Sequence, residues 1–288
     1  MKTQWIAITV LATISMAIPC SQAQNKSEAA GLSGLAHVAI RVSDVDREVA
    51  FFNKLGYELA FANTKDGKTE EAYIKINDVQ FLEISQASPP QRPAGFADAA
   101  FESADLNALD ARYAAAGLKP TEVHKGGAGN LIFMVDAPDG SETVLTQYLP
   151  GSRQMDDKGK HLGITRISEE LIGFELPVKD LAASQAFYES LGFDAEKSGA
   201  ELWLTLPSFP DLRIELHAAR AGDRVRYLFA VADAKQAANV LRDAGLKVDR
   251  HEKMDDVADA EGNVFVLVES QASSSHRAVI TRRRKSDE

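Results

Sequence analysis

Two segments of the chain share one pattern of hydrophobic and polar positions. "LAHVAIRVSDVDREVAFFNKLGYE" starts at Leu35, and "IGFELPVKDLAASQAFYESLGFD" starts at Ile172. Each begins with an alternation typical of a half-buried strand and continues with apolar residues at helical spacing. An aspartate suited to N-capping precedes each helix and a glycine suited to ending it follows. The pattern therefore predicts a strand followed by a capped helix in both places.

The same combination recurs in two further segments. "SADLNALDARYAAAGLK" and "VADAKQAANVLRDAGLK" each place an aspartate before an amphipathic helix that ends in Ala-Gly-Leu-Lys. Further strands follow each helix, as in "YELAFA", "EEAYIKIN" and "VQFLEISQ" after the first one. Because internal repeats determine the architecture of a chain, we predict an α+β fold of four βαβββ units. The units are residues 35–86, 95–148, 171–217 and 225–270.

Pairs of units predict two modules. We expect a first module at residues 34–150, a linker at 151–170 and a second module at 171–270. The 288 residues are enough for two domains of ordinary size with well-formed cores. Beyond the second module, a serine run and a basic cluster without apolar periodicity predict a disordered tail at 271–288.

The first 23 residues have the pattern of a secretory signal peptide. Lys2 precedes an apolar run from Trp5 to Ile18, and a small-x-small pattern predicts cleavage after Ala23. We therefore expect export to a periplasm or to the cell exterior. A membrane anchor is an alternative, although the apolar run is short for a bilayer. A lipoprotein attached through Cys20, the only cysteine, is another.

Charge and cysteine usage narrow the classes of function. The net charge of −10 argues against a nucleic-acid partner, since phosphate backbones are bound by clustered Lys and Arg. Cleavage after Ala23 would remove the only cysteine, so a disulfide, a thiolate ligand and a cysteine nucleophile are all excluded from the exported form.

The repeats resemble a known family. The βαβββ units, the helix ends "FFNKLGYE" and "FYESLGFD", and the segment "DAPDGSETVLTQY" are similar to the vicinal oxygen chelate superfamily. That group includes glyoxalase I, bleomycin-resistance proteins and extradiol ring-cleaving dioxygenases. The resemblance covers about residues 34–270 and implies two cup-shaped modules, an arrangement similar to the two-domain extradiol dioxygenases. It is specific for the fold and weak for the reaction, because one fold hosts many chemistries.

In the metal-binding members, a divalent ion is held at four positions of a cup. Carried onto the first module, these positions are His37, Glu83, Asp98 and Val144. Two match the family, Asp98 replaces the usual histidine, and Val144 replaces the usual glutamate. Glu142 lies two residues before Val144 and should share its face of the strand, about 7 Å along it. The resemblance thus implies one divalent metal, Fe, Mn, Zn or Ni, at His37, Glu83 and Asp98, with a metal-free cup as the alternative.

Further residues of the first module point to the same cup. Strand alternation gives Arg41 the face of His37, and Tyr148 the face of Val144. We predict that both contact a ligand, as do Tyr73 and Glu142. An inward arginine needs an acidic partner, and Glu102 or the ligand would supply it.

The second module carries a degenerate set of the same positions. These are Gly173, Glu215, Arg226 and Val266. Glycine and valine cannot ligate, and arginine adds a permanent positive charge, so no metal is expected there. Our hypothesis is that Arg226 forms an ion pair with Glu215 and replaces the charge of the absent ion.

Three functional hypotheses remain at this point. The first is a divalent-metal-dependent dioxygenase or lyase that acts in the N-terminal cup on a small oxygenated molecule, aromatic or catechol-like. The second is a metal-free protein that binds or sequesters a small molecule, as the bleomycin-resistance branch does. The third is a structural or interaction role, such as homodimerisation through exposed sheet edges. In none of them is the protein an integral membrane protein.

Overall fold

The computed structural model describes residues 31–251 and 254–270. The predicted signal peptide and the predicted tail lie outside these residues. Within them, two eight-stranded sheets carry five helices. The first sheet contains β1 (Leu32–Val42), β2 (Glu58–Lys65), β3 (Lys68–Lys75), β4 (Phe81–Gln86), β5 (Gly95–Ser103), β6 (His124–Lys125), β7 (Leu131–Asp136) and β8 (Glu142–Gln147).

The second sheet repeats this plan. It contains β9 (Glu170–Val178), β10 (Asp194–Ser198), β11 (Glu201–Leu206), β12 (Phe209–Ala218), β13 (Arg226–Val231), β14 (Val248–His251), β15 (Met254–Ala258) and β16 (Val264–Glu269). The helices are α1 (Val45–Lys54), α2 (Leu106–Ala115), α3 (Arg153–Asp156), α4 (Leu181–Leu191) and α5 (Ala234–Asp243).

Strand order confirms the predicted α+β fold of paired units. The orders are β2-β3-β4-β1-β5-β8-β7-β6 and β10-β11-β12-β9-β13-β16-β15-β14. In each sheet the first strand of one unit lies at the centre, parallel to the last strand of its own unit and antiparallel to the first strand of the next. Two units thus share one continuous sheet, and the second sheet copies the first.

The four longer helices begin where the sequence predicts. The side chains of Asp44, Asp105, Asp180 and Asp233 each accept a hydrogen bond from the backbone N–H three residues later. This contact satisfies a donor that the first turn leaves open. A glycine with positive φ follows each helix; Gly192, for example, has φ +107°. These local signals fix where each helix lies relative to the strand before it.

One hydrophobic core joins the two modules. Its buried residues come from both sheets and from the helices. Phe101 of β5 meets Phe193 at a ring distance of 5.0 Å, and Phe96 meets Phe174 of β9 at 5.8 Å. The two modules therefore pack against each other through shared aromatic contacts, which leaves the opposite face of each sheet available for a site.

Candidate functional site

Strand register places the predicted site residues on one face of the first sheet. In the pairing of β1 with β4, Ala39 lies opposite Glu83, and in the pairing of β1 with β5 it lies opposite Asp98. Because cross-strand partners point to the same side of a sheet, both carboxyls share the face of His37, two residues earlier. We call this face the first cup.

Three side chains converge in the first cup. The Nε2 atom of His37 lies 3.4 Å from Oε2 of Glu83 and 3.8 Å from Oδ1 of Asp98. All three side chains are at least four-fifths buried. Three residues that are far apart along the chain thus lie next to one another in space.

Burial sets the protonation of this cluster. Loss of water lowers the pKa of His37 to about 4, so its imidazole is neutral near pH 7. Burial and then repulsion from Asp98 raise the pKa of Glu83 well above its usual value. Burial likewise raises the pKa of Asp98 to about 7, against the attraction of Arg41. Burial thus favours the neutral form of all three side chains.

Three buried polar atoms of the first cup have no hydrogen-bond partner. They are Nε of Arg41, Oδ1 of Asp98 and the hydroxyl oxygen of Tyr148. Tyr148 packs on the apolar patch of Ala36, Ala100 and Val144 in the same cup. Native proteins leave few buried polar atoms without a partner, because each costs about 1–3 kcal/mol. Three of them on one face indicate a place that a ligand completes.

The remaining predicted residues lie as follows. Val144 is buried beside Ala100 on β5, where it supplies only apolar surface. Glu142 lies directly opposite Asp98 in the pairing of β5 with β8, is exposed, and raises the pKa of Asp98 by repulsion. Glu102, the acid proposed as a partner for Arg41, accepts a hydrogen bond from Ser33 at 3.3 Å.

The fit of a metal ion to the first cup is incomplete. One imidazole nitrogen and two carboxylates are suitable donors for a divalent ion, and Oδ1 of Asp98 has no other partner. However, across residues 31–251 and 254–270 no group of three or more His, Cys, Asp or Glu side chains is arranged so that it could hold a metal ion. The three side chains thus supply suitable donors, and a metal ion at His37, Glu83 and Asp98 stays a prediction.

An aromatic wall, of which the sequence singled out only Tyr73, completes the cup. Phe61 of β2 packs on Tyr73 of β3 at a ring distance of 4.4 Å, and Phe81 lies 6.4 Å from the ring of Tyr148. The guanidinium of Arg153, in α3, stands 4.2 Å over the ring of Phe61. Alternation within β2 to β4 would have predicted the wall, whereas nothing local predicts that α3 returns to it.

The second cup is closed at the position that matches His37. Gly173 has φ +148°, a conformation that L side chains rarely adopt. A Cβ atom there would lie 1.9 Å from the carbonyl oxygen of Arg213 on the neighbouring strand β12. A histidine is therefore excluded by the backbone as well as missing from the sequence.

The acidic partners of Arg226 in the second cup differ from the one predicted. Its guanidinium donates to Oε2 of Glu175 at 2.8 Å and lies 3.5 Å from Oδ2 of Asp256. Glu215 lies one strand further away, opposite Glu175, with Oε1 3.5 Å from Nδ1 of His217. Strand order explains the difference, because β9 lies between β12, which carries Glu215, and β13, which carries Arg226. A fixed positive charge does stand among carboxylates, but Glu175 and Asp256 are the ones it meets.

Comparisons with known proteins agree with this architecture. Residues 34–145 match the model of the family described as Glyoxalase/Bleomycin resistance protein/Dioxygenase superfamily. No curated protein matches the chain with significance.

Solved structures resemble the chain over most of its length. The 2,3-dioxygenase LapB from Pseudomonas sp. KL28 aligns with a TM-score of 0.64 at 19% identity, over 85% of this chain and 95% of that one. The Mn(II)-bound glyoxalase from Novosphingobium aromaticivorans gives 0.63 at 17% identity, over 82% and 81%. Homoprotocatechuate 2,3-dioxygenase from Brevibacterium fuscum, in complex with 3,4-dihydroxyphenylacetate, gives 0.60 at 15% identity, over 82% and 80%. At these identities the likeness establishes the fold.

In the part of the chain that the structure describes, no helix has the length and apolar character needed to cross a bilayer.

Proposed function

Residues 34–145 of this chain belong to the Glyoxalase/Bleomycin resistance protein/Dioxygenase superfamily, and from this premise we propose that the first cup binds a small oxygenated molecule, aromatic or catechol-like. The observation that carries the proposal is the set of three buried, unpartnered atoms on Arg41, Asp98 and Tyr148. Together they offer a cationic donor, a carboxyl acceptor and a hydroxyl, a set that hydroxyl or carbonyl oxygens of a ligand would satisfy.

The remaining residues of the cup suit such a ligand. The aromatic wall of Phe61, Tyr73 and Phe81 presents ring faces beside the polar cluster. Aromatic ligands stack favourably on such rings, and a few placed polar groups fix their orientation. Neutral His37 lies close enough to Glu83 and Asp98 to share one ligand oxygen with them. The protein would thus bind, orient and partly shield the molecule from water.

Substitution of Tyr148 by phenylalanine tests this proposal. The free protein should keep or gain thermal stability, because the variant removes a buried hydroxyl that has no partner. Catechol should bind about 2- to 10-fold more weakly, the usual effect of losing one neutral hydrogen bond. Calorimetric titration and thermal melts with and without catechol measure both quantities.

Asp98→Asn is the companion variant, and Asp211→Asn, at an exposed position of the second module, is its matched control. Asp98→Asn should weaken catechol binding while Asp211→Asn leaves it unchanged. Equal affinities in the wild type, Tyr148→Phe and Asp98→Asn would refute a ligand site in the first cup.

A divalent-metal-dependent dioxygenase or lyase with an attenuated site is the second candidate. The convergence of His37 with Glu83 and Asp98 favours it. Mass spectrometry of the protein purified without chelators measures Fe, Mn, Zn and Ni directly. Near-stoichiometric metal that is lost in His37→Ala would favour this candidate, and its absence after metal soaking would favour metal-free binding.

We also propose that the protein is exported. The support is the charged, apolar and small-residue pattern of residues 1–23. Amino-terminal sequencing of protein from the periplasm or medium should find Gln24 first, and an intact Met1 in the cytoplasm would contradict export.

A further inference from the structure

We infer that the ligand of the first cup carries a carboxylate, and that Arg41 and Arg92 hold this group at the rim of the cup. The inference rests on the small-molecule site proposed above and adds to it the charge of the ligand and the residues that select it. Arg92 was not singled out in the sequence, because it lies in a loop without periodicity.

The guanidinium of Arg41 has a buried N–H donor that lacks an acceptor. In the strand pairings, Arg41 lies opposite Ser85 of β4 and Gly95 of β5, one step further along β1 than the row of Glu83 and Asp98. Its Nε atom is buried and has no hydrogen-bond partner. Guanidinium stays charged at any physiological pH, so a buried donor of this kind needs an acceptor.

Arg92 stands at the opening beside Arg41. Its loop joins β4 to β5 and is fixed by two backbone hydrogen bonds with Ser88, of 2.8 and 3.1 Å. Its side chain is exposed and, with Ser85 and Ser88, lines a cavity of about 350 Å³. Ser85, which lies opposite Arg41 in the pairing of β1 with β4, lines the same cavity as Arg92, so the two arginines flank one end of the cup.

Neither arginine is neutralised by a direct acidic contact. Among the described residues, neither has a carboxylate oxygen within 4 Å, the limit for an ion pair. Glu70 and Glu71 line the same cavity, but Glu70 is exposed and Glu71 accepts a hydrogen bond from the amide of Asn63. Arg92 thus lines the cavity and Arg41 lies beside its lining residue Ser85, so a planar anion bound between the two guanidinium groups would meet N–H donors of both.

A matched pair of ligands tests the inference. 3,4-Dihydroxyphenylacetate and its primary amide have the same shape and differ in charge. The wild type should bind the acid about tenfold or more tightly than the amide, the scale of one hydrogen bond to a charged group. Arg92→Gln should remove most of this difference by weakening the acid alone. Arg92→Lys should retain part of this difference, since lysine keeps the positive charge but lacks the paired N–H donors of a guanidinium.

Lys119→Gln is the control, because it removes an exposed positive charge elsewhere in the first module and should leave both affinities unchanged. Raising the salt concentration should narrow the difference between acid and amide in the wild type. Equal binding of the two ligands by the wild type would overturn the carboxylate inference and leave the small-molecule site standing. Equal weakening of both ligands in Arg92→Gln would overturn the role of Arg92. Binding of neither ligand by the wild type would overturn the proposed ligand class and this inference with it.

Discussion

At the scale of the residue, the two cups differ most at one backbone position, where Gly173 of β9 matches His37 of β1. Gly173→Ala should lower the free energy of unfolding by about 3 kcal/mol or more. The added Cβ meets the carbonyl oxygen of Arg213 at 1.9 Å, and φ is +148°. Denaturant unfolding, followed by circular dichroism, measures the loss.

Gly95 supplies the control for this substitution. Its φ is +120°, yet no atom lies within 4 Å of the place where its Cβ would stand. Gly95→Ala should therefore cost only the backbone strain, about 1–3 kcal/mol, and less than Gly173→Ala. Equal losses in the two variants would mean that the contact with Arg213 relaxes freely, and that β9 could accept a side chain at this place.

Sequence reasoning about single residues succeeded where it depended on one strand at a time. Alternation placed Arg41 on the face of His37, because successive side chains of a strand point to opposite sides, and the family resemblance supplied Glu83 and Asp98. Sequence reasoning also paired Arg226 with Glu215, but Glu175, on the strand between theirs, is the residue that Arg226 contacts. The partner of a charge depends on strand order and on distance across the sheet, and neither is encoded in a local pattern.

At the scale of the element, helix α1 carries a buried carboxyl against the second module. Glu48 is 1% exposed and meets Asp259, which already accepts hydrogen bonds from the backbone of Glu261 and Asn263. Burial, then repulsion from Asp259 and the hydrogen bond that protonated Glu48 donates to Asp259, raise the pKa of Glu48 to about 9; Glu261 adds repulsion and Arg47 opposes it. The folded protein therefore holds a proton that the unfolded chain releases near pH 4.5.

This proton makes stability depend on pH. A raised carboxyl pKa gives a contribution that is complete below about pH 4.5 and is lost as the pH rises to about 9. Glu48→Gln should remove a slope of at most about 1.4 kcal/mol per pH unit. Melting temperatures between pH 5.5 and 8.5 should thus fall more steeply in the wild type than in the variant. Glu58→Gln, at an exposed position of β2, should follow the wild type. Parallel curves for wild type and Glu48→Gln would contradict the assignment.

The elements themselves were the most predictable part of the molecule. Aspartate caps at Asp44, Asp105, Asp180 and Asp233 and the glycines after the helices are local signals, and the structure uses all of them. The burial of Glu48 was not predictable, because the partner that covers this face of α1 comes from more than 200 residues later in the chain. Contacts between the modules produce no periodic residue pattern in the sequence of either module.

At the scale of the whole molecule, one glutamine ties the first strands of the two modules together. Gln80 is 2% exposed. Its amide nitrogen donates to the backbone oxygens of Leu35 at 3.2 Å and Leu171 at 2.9 Å. Its amide oxygen accepts from the backbone nitrogen of Leu171 at 3.1 Å. Leu35 and Leu171 occupy matching places in β1 and β9, so Gln80 lies where the repeats meet.

Gln80→Leu should lower the free energy of unfolding by about 2–4 kcal/mol, because it leaves buried backbone groups of both modules without a partner. Gln91→Leu, at an exposed loop position, is the matched control and should change stability by less than about 0.5 kcal/mol.

Two optical signals test whether the modules unfold together. Trp203 is the sole tryptophan once residues 1–23 are removed, so its fluorescence reports the second module while far-ultraviolet circular dichroism reports both. The two signals should give one shared transition in the wild type, because a single core spans the modules. In Gln80→Leu both should move together to lower denaturant. A fluorescence transition separated from the dichroism transition in the wild type would show that the modules unfold independently, and that the contacts around Gln80 do not couple them.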